Sequence, residues 1–191
     1  MAWGRTRTAL AVLVAAAAVA AAPALGSATV HDALAALVAP RGVCGAAADR
    51  SGLGRRAAER TMLCLTNYAR RRAGLRPLAL STVLDRLAEA KLRADVRCGQ
   101  FSHTPCGRPF AAAYARFFRA RRAAHVGENI AWGTGPLATP RETIDEWIHS
   151  PEHRANILAP DYRRLGVGYL ARGRFLGYAG ASLWSQEFAS R

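Results

Sequence analysis

From Ala58 onward the apolar positions change rhythm, helical first and strand-like last. Met62, Leu63, Leu65, Tyr68 and Ala69 recur at helical spacing until Gly74 and Pro77 end the run. Ser81 is placed to cap a second helix, whose stripe takes in Val83, Leu84, Leu87, Ala88, Lys91, Leu92 and Val96 and stops near Cys98 and Gly99. A third stretch over Phe110–Ala120 groups Tyr114, Phe117 and Phe118 on one side. Thr139, Pro140 and Glu142 spell a hydroxyl cap, a first-turn proline and an acid at the third position, so a fourth helix carries Ile144, Trp147 and Ile148. Ser150 and Pro151 repeat that logic for a short helix that holds His153 and ends near Leu158.

Beyond Asp161 the texture becomes β. Leu165–Leu170, Phe175–Gly180 and Ser182–Phe188 alternate apolar and polar residues between glycine turns, which predicts an antiparallel meander. Helices first and strands last define an α+β chain, and a central antiparallel sheet between helical layers, an α-β-α sandwich, buries both the stripes and the strand faces. Ahead of this domain, assigned to residues 58–191, residues 27–57 are broken up by Pro40, Gly42, Gly45, Gly52 and Gly54 and read as a linker or arm. Residues 1–26 read as a secretory signal: Arg5 and Arg7, an apolar run from Ala9 to Ala22, then small residues. That run falls short of the ~20 residues a membrane span needs, so the mature chain is expected to be secreted and to have no transmembrane helix.

Composition sharpens the picture at two points. The formal charge is +14, nearly all of it arginine, with Lys91 the only lysine. Losing Arg5 and Arg7 with the signal leaves +12, enough to attract an anionic envelope surface. No nucleic-acid-binding motif accompanies the charge, so no specific nucleic acid is expected. Cys44, Cys64, Cys98 and Cys106 all follow the signal and are expected to form disulfides outside the cell. Three pairings are open, and proximity favours Cys44 with Cys64 and Cys98 with Cys106, the latter closing a loop around His103. A zinc site built of these cysteines lacks any Cys-x-x-Cys pair.

Three segments could carry chemistry: Phe101-Ser102-His103-Thr104, Gly127-Glu128-Asn129-Ile130 and Ser150-Pro151-Glu152-His153-Arg154-Ala155-Asn156-Ile157-Leu158. Two imidazoles and a carboxylate are donors that zinc accepts, with a fourth position left for water. The plainer reading makes His103 a loop residue, pairs Glu128 with an arginine and gives His153 a structural place in its helix. Asn129 and Asn156 suit the role of satisfying peptide groups. Asn67 and Arg70 are read as staples of the first helix, and Trp132 as a residue of the cleft rim.

The ordered set of segments resembles the CAP superfamily, the SCP-like or cysteine-rich secretory, antigen 5 and pathogenesis-related proteins, and most of all its bacterial YkwD-like branch. Leu65-Thr66-Asn67-Tyr68-Ala69-Arg70 and Gly74-Leu75-Arg76-Pro77-Leu78 precede the three segments, and Leu183-Trp184-Ser185-Gln186-Glu187-Phe188 follows them. The resemblance covers about Ala58–Ala189. It implies an α-β-α sandwich whose cleft carries two His and two Glu in many members, sometimes around a divalent ion. His103, Glu128 and His153 match three of the four. Ser150 stands where the second glutamate is expected, with Glu146 one turn earlier. His125 and His149 adjoin the cleft segments, and His31 lies in the arm.

Three functions follow as expectations. The first is an extracellular binding module that takes a small molecule, a lipid or a divalent ion, zinc above others, in a cleft of His103, Glu128, His153, Ser150, Asn129 and Trp132. The second is a metal-dependent, peptidase-like hydrolase on His103, Glu128 and His153, although no HExxH helix is present; a serine or cysteine hydrolase has less behind it, since there is no GxSxG elbow and the cysteines are expected in disulfides. The third is a polyanion binder driven by charge, whose sign would be loss of binding as salt rises.

Overall fold

The computed structural model describes residues 26–109, 112, 114, 115, 125–171 and 173–190. The signal segment and most of the helix expected over 110–120 lie outside them. The helices are α1 (Gly26–Ala35), α2 (Arg55–Arg72), α3 (Thr82–Cys98), α4 (Pro140–His149) and α5 (Pro151–Leu158). The strands are β1 (Ala79–Leu80), β2 (Val126–Gly133), β3 (Arg164–Ala171), β4 (Arg174–Phe175), β5 (Tyr178–Ala179) and β6 (Ser182–Ala189).

Two of the three hydroxyl caps legible in the sequence, those of Ser81 and Thr139, are made. Thr139 Oγ1 accepts from the Glu142 amide at 3.4 Å. Gly99 ends α3 in the left-handed region at φ 58°, where a side chain would be strained. Ser150 bounds α5 without a side-chain cap bond.

The main sheet has the order β1-β3-β6-β2. β6 lies between β3 and β2 and is antiparallel to both, whereas the two-residue β1 joins β3 in parallel. The meander expected at the carboxyl end is thus modified: β3 pairs directly with β6, and the residues between them form a separate β4–β5 hairpin. β2, which no alternation in the sequence announced, is the far edge of the sheet.

Helices cover both faces, which makes the predicted sandwich. On one side Met62 and Leu65 of α2, Ile144 and Trp147 of α4 and Ile157 of α5 pack with Val167, Trp184 and Phe188. On the other, α3 lies across β3 so closely that a Cβ on Gly166 would stand 2.1 Å from the Leu84 carbonyl carbon, and one on Gly168 would stand 2.7 Å from that of Ala88. Only glycine admits the helix there.

The segment read as an arm is packed into the body. Ala39 and Ala48 are buried in the larger core cluster, Arg141 of α4 donates to the Ala39 carbonyl, and its Nε is 2.6 Å from Asp49 Oδ1. Both expected disulfides are present, Cys44–Cys64 and Cys98–Cys106. The stapling roles also hold. Asn67 exchanges two hydrogen bonds with the Leu78 backbone (2.9 and 2.7 Å), and the buried Arg70 guanidinium donates to the Ile157 and Ala159 carbonyls (2.8 and 2.9 Å) at the end of α5. No described helix is long and apolar enough to cross a membrane.

Candidate functional site

Glu128 and Glu187 stand directly opposite each other on β2 and β6. Their side chains project from the sheet toward α3, the side on which Leu183 packs with Leu92. Neighbouring carboxylates repel, and burial penalises their charged forms further. Burial pushes Glu128 up to about 7. Glu187, wholly buried, is raised well above the ordinary carboxyl range by burial and by Glu128, with which it shares a hydrogen bond. A proton held between them is the physical solution. Tyr114 donates to Glu187 and is 2.9 Å from the Gly127 carbonyl, while Ser185 Oγ donates to Glu187 Oε1 at 2.9 Å.

His103 reaches this pair from the loop closed by Cys98–Cys106, with Nδ1 at 2.6 Å from Glu128 Oε1. Burial, then the ammonium of Lys91, lowers its pKa, so the ring is neutral at neutral pH and the contact is a hydrogen bond rather than an ion pair. A chain of proton-bearing groups therefore runs His103–Glu128–Glu187–Tyr114.

The loop is positioned by α3. Lys91 Nζ lies 2.9 Å from both carboxylate oxygens of Asp95 and also donates to the Ser102 carbonyl, while Asp95 accepts from the Ser102 amide at 3.4 Å. Both side chains are buried. Burial raises the Asp95 pKa and the Lys91 hydrogen bond opposes the rise. This i, i+4 pair grips the peptide unit immediately before His103.

A cavity of about 550 Å³ opens on the cluster. Its wall includes Leu87, Ala94 and Pro105 as apolar surface, Arg97 and Arg108 as cations, and His103, Glu128 and Glu187 at the polar end.

His153 comes from the opposite helical layer, where its ring is 6.2 Å from that of Trp147. Its pKa is lowered, by burial first and by His103 second. α5 meets the free edge of β2 through polar bonds: Asn129 Nδ2 donates to the His153 carbonyl (3.1 Å), and Asn156 Nδ2 donates to the Glu128 carbonyl (3.1 Å) and to Asn129 Oδ1 (2.9 Å). Asn129 is thus a buried brace between strand and helix. Gly127 is required beside it, since a Cβ there would meet Tyr162 Oη at 2.5 Å and Asn156 Oδ1 at 2.6 Å.

Other candidates sit elsewhere. Trp132 packs with Phe175 and Tyr178 at the far end of β2 and is no part of the cavity wall. Ser150 joins α4 to α5, and Glu146 is exposed on α4. His125 pairs with Asp161 at 3.3 Å on the surface, and His149 lies beside Asp145 and 5.7 Å from the His31 ring. Sequence reasoning missed Glu187, Asp95 and the tethering role of Lys91. The available signal was a lone lysine on an apolar helical stripe with an acid four residues on.

Among the described residues no three His, Cys, Asp or Glu side chains are grouped to hold a metal ion. The local reason is that Glu128 Oε1 is engaged by His103, its carboxyl faces that of Glu187 on the neighbouring strand, and the buried Lys91 ammonium stands nearby. In this arrangement His103, Glu128 and His153 do not fit the divalent ion that the resemblance implied.

Fold, motif order and cleft together define a CAP-domain protein, and the chain belongs to the Cysteine-rich secretory protein family, whose model matches residues 63–188. Among curated proteins it is similar to the uncharacterized protein YkwD of Bacillus subtilis, 34% identical over 135 residues that make up 70% of this chain and 47% of that one. The chain thus spans about half the length of that relative. Solved structures with the same fold include an extracellular SCP-domain protein of Bacillus anthracis (TM-score 0.57, 21% identity, 74% of this chain and 45% of that one). An outer surface protein of Borrelia burgdorferi also matches (TM-score 0.61, 14% identity, 73% and 96%).

Proposed function

We propose that this chain is exported and acts outside the cell as a binding module, receiving a small ligand in the cavity between α3 and the Pro105–Pro109 loop. The observation that carries the reading is the buried acid pair Glu128/Glu187, held under a half-exposed His103 at the cavity's polar end. Burying two carboxyls is costly, and Lys91–Asp95 adds a second buried ionic pair that only positions the loop. Perturbed titratable groups converging on a cavity are the physical mark of a functional site. The neutral His103 leaves Nε2 for the ligand, and the acid pair offers or accepts a proton behind it. Arg97 and Arg108 favour a ligand with a negative group, and Leu87, Ala94 and Pro105 one with an apolar body. Export is supported by the amino-terminal pattern, the two disulfides and the extracellular and outer-surface neighbours.

The test is calorimetric titration of the oxidised chain with fatty acids, sterols, lysophospholipids and peptidoglycan fragments, and separately with zinc, magnesium and calcium. Parent protein is compared with His103→Ala, Glu128→Ala and His153→Ala. Saturable binding of an organic ligand, lost in His103→Ala and Glu128→Ala, is the expected result. Zinc binding lost in all three variants would instead restore the metal reading, and with it a hydrolytic one. Binding that all three variants retain would place the ligand elsewhere.

A further inference from the structure

The end of the sheet at which β2 and β3 finish and β6 begins is unlike the rest of the surface. Gly133 and Ala171 both pair with Ser182, so the β2–α4 connection and the β4–β5 hairpin leave from that same end. These two segments carry the three most exposed large apolar side chains among the described residues: Leu137 at 51%, Leu176 at 45% and Tyr178 at 58%.

Leu176 and Gly177 form the tip of the hairpin with φ 47° and φ 88°. Asn, Asp or Gly ordinarily fills such a two-residue turn, because a bulky side chain is strained at positive φ. A leucine held in that conformation and left in water adds nothing to the fold that Asn or Gly would not. Such a strained, exposed residue points to a function.

The hairpin is a rigid mount. Phe175 is buried beneath it among Leu92 and Leu183, and Trp132 braces both Phe175 (5.6 Å between ring centroids) and Tyr178 (5.2 Å). One cation is held at the apolar tip. Arg174 is fixed by a 3.0 Å bond from its guanidinium to the Gly177 carbonyl, while the hollow beside Gly135 and Pro136 carries Arg41 and Arg50 together with Asp49 and Glu142. The whole chain carries +14.

We propose that this end of the molecule docks on an anionic lipid bilayer, with Leu176 and Tyr178 entering the headgroup boundary, Arg174 meeting a lipid phosphate and the net positive charge of the chain drawing it to the surface. Apolar and interfacial aromatic side chains beside a basic one, on a strongly basic protein, are what such a surface takes up. The proposal is independent of the cleft reading, because no residue of the tip lines the cavity.

The test uses the chain from Gly26 onward, which contains every described element and lacks the apolar leader. Sedimentation with phosphatidylcholine vesicles and with vesicles containing 30% phosphatidylglycerol, at about 150 mM salt, is run on the parent, on Leu176→Ser/Tyr178→Ser and on Val83→Ser, an exposed apolar residue of α3. Thermal melts confirm that each variant is folded. The expected result is binding to anionic vesicles alone, weakened at least tenfold in the double variant and unchanged in Val83→Ser. Equal binding by parent and double variant would reduce the interaction to charge and overturn the proposal. Absence of binding by the parent would also overturn it, as would a parent dimer that the double variant converts to monomer, since a second copy would then cover the tip.

Discussion

Replacing Lys91 with methionine isolates the device that places His103. The substitution keeps the side chain's length and removes three hydrogen bonds, two to Asp95 and one to the Ser102 carbonyl. Asp95, wholly buried, is left without its cation. Removing one partner of a buried pair costs about 3–5 kcal/mol, because the remaining charge stays desolvated. At about 2–4 °C per kcal/mol for a domain of this size, the melting temperature should fall by on the order of 10 °C.

The sign of the pH dependence follows from Asp95. Without the ammonium its folded pKa rises further above the unfolded value near ~3.9, so the folded state binds the extra proton. Stability of the variant then falls as pH rises through that window, and its deficit against the parent narrows on acidification. The double variant Lys91→Met/Asp95→Leu removes both charges and should recover most of the stability while leaving the Ser102 peptide unheld. Urea titrations at pH 4.5 and 7.5 measure both. A Lys91→Met variant within about 1 kcal/mol of the parent at pH 7.5 would refute the reasoning.

Three further outcomes are expected. Glu128 and Glu187 are both raised, so the folded state holds more protons than the unfolded chain above pH ~4.3, and stability falls as pH climbs toward 7 and beyond. Glu187→Gln keeps the hydrogen-bonding shape without the charge and should flatten that slope between pH 5 and 8, as read by denaturation at several pH values. Gly166→Ala forces a methyl into the Leu84 backbone and should destabilise by about 3 kcal/mol or more, whereas Gly173→Ala, with open space around it and no positive φ, should be silent. Opening the eight-residue span between Cys98 and Cys106 by Cys98→Ala/Cys106→Ala should cost about 2–3 kcal/mol in chemical denaturation and broaden the His103 ring signals in NMR spectra.

Most helices were legible because their signals are local, whereas α1, almost wholly inside the stretch read as a linker or arm, was not. Ser81, Gly99, Thr139 and Pro140 state their roles within a few residues, and α3 begins and ends, and α4 begins, where those residues said. β2 was not legible, because Val126–Gly133 faces helices on both sides and places Glu128, Asn129 and two glycines among its apolar residues. β6 misled in a related way. Its alternation looked like a strand with one wet face, yet all eight residues are buried, so Ser185, Gln186 and Glu187 are interior groups. A sheet covered on both faces has no solvent side on which to leave a polar residue. That consequence of the predicted sandwich would have singled out Glu187. The site was readable as His103 and Glu128 from the motifs, and the structure brings these together. Trp132 fell outside because four residues along a strand is more than 10 Å at about 3.3 Å per residue.

The central claim, that the cavity over the acid pair is a built binding site, is tested most directly by mapping small ligands on the ¹⁵N-labelled protein. A fragment library screened by chemical-shift perturbation should give hits that converge on Leu87–Ala94 of α3, on His103–Pro109 and on Glu128, and Glu128→Ala should abolish them. Hits scattered over the surface, or converging elsewhere and indifferent to Glu128→Ala, would contradict the account and leave the acid pair as a feature of the fold alone.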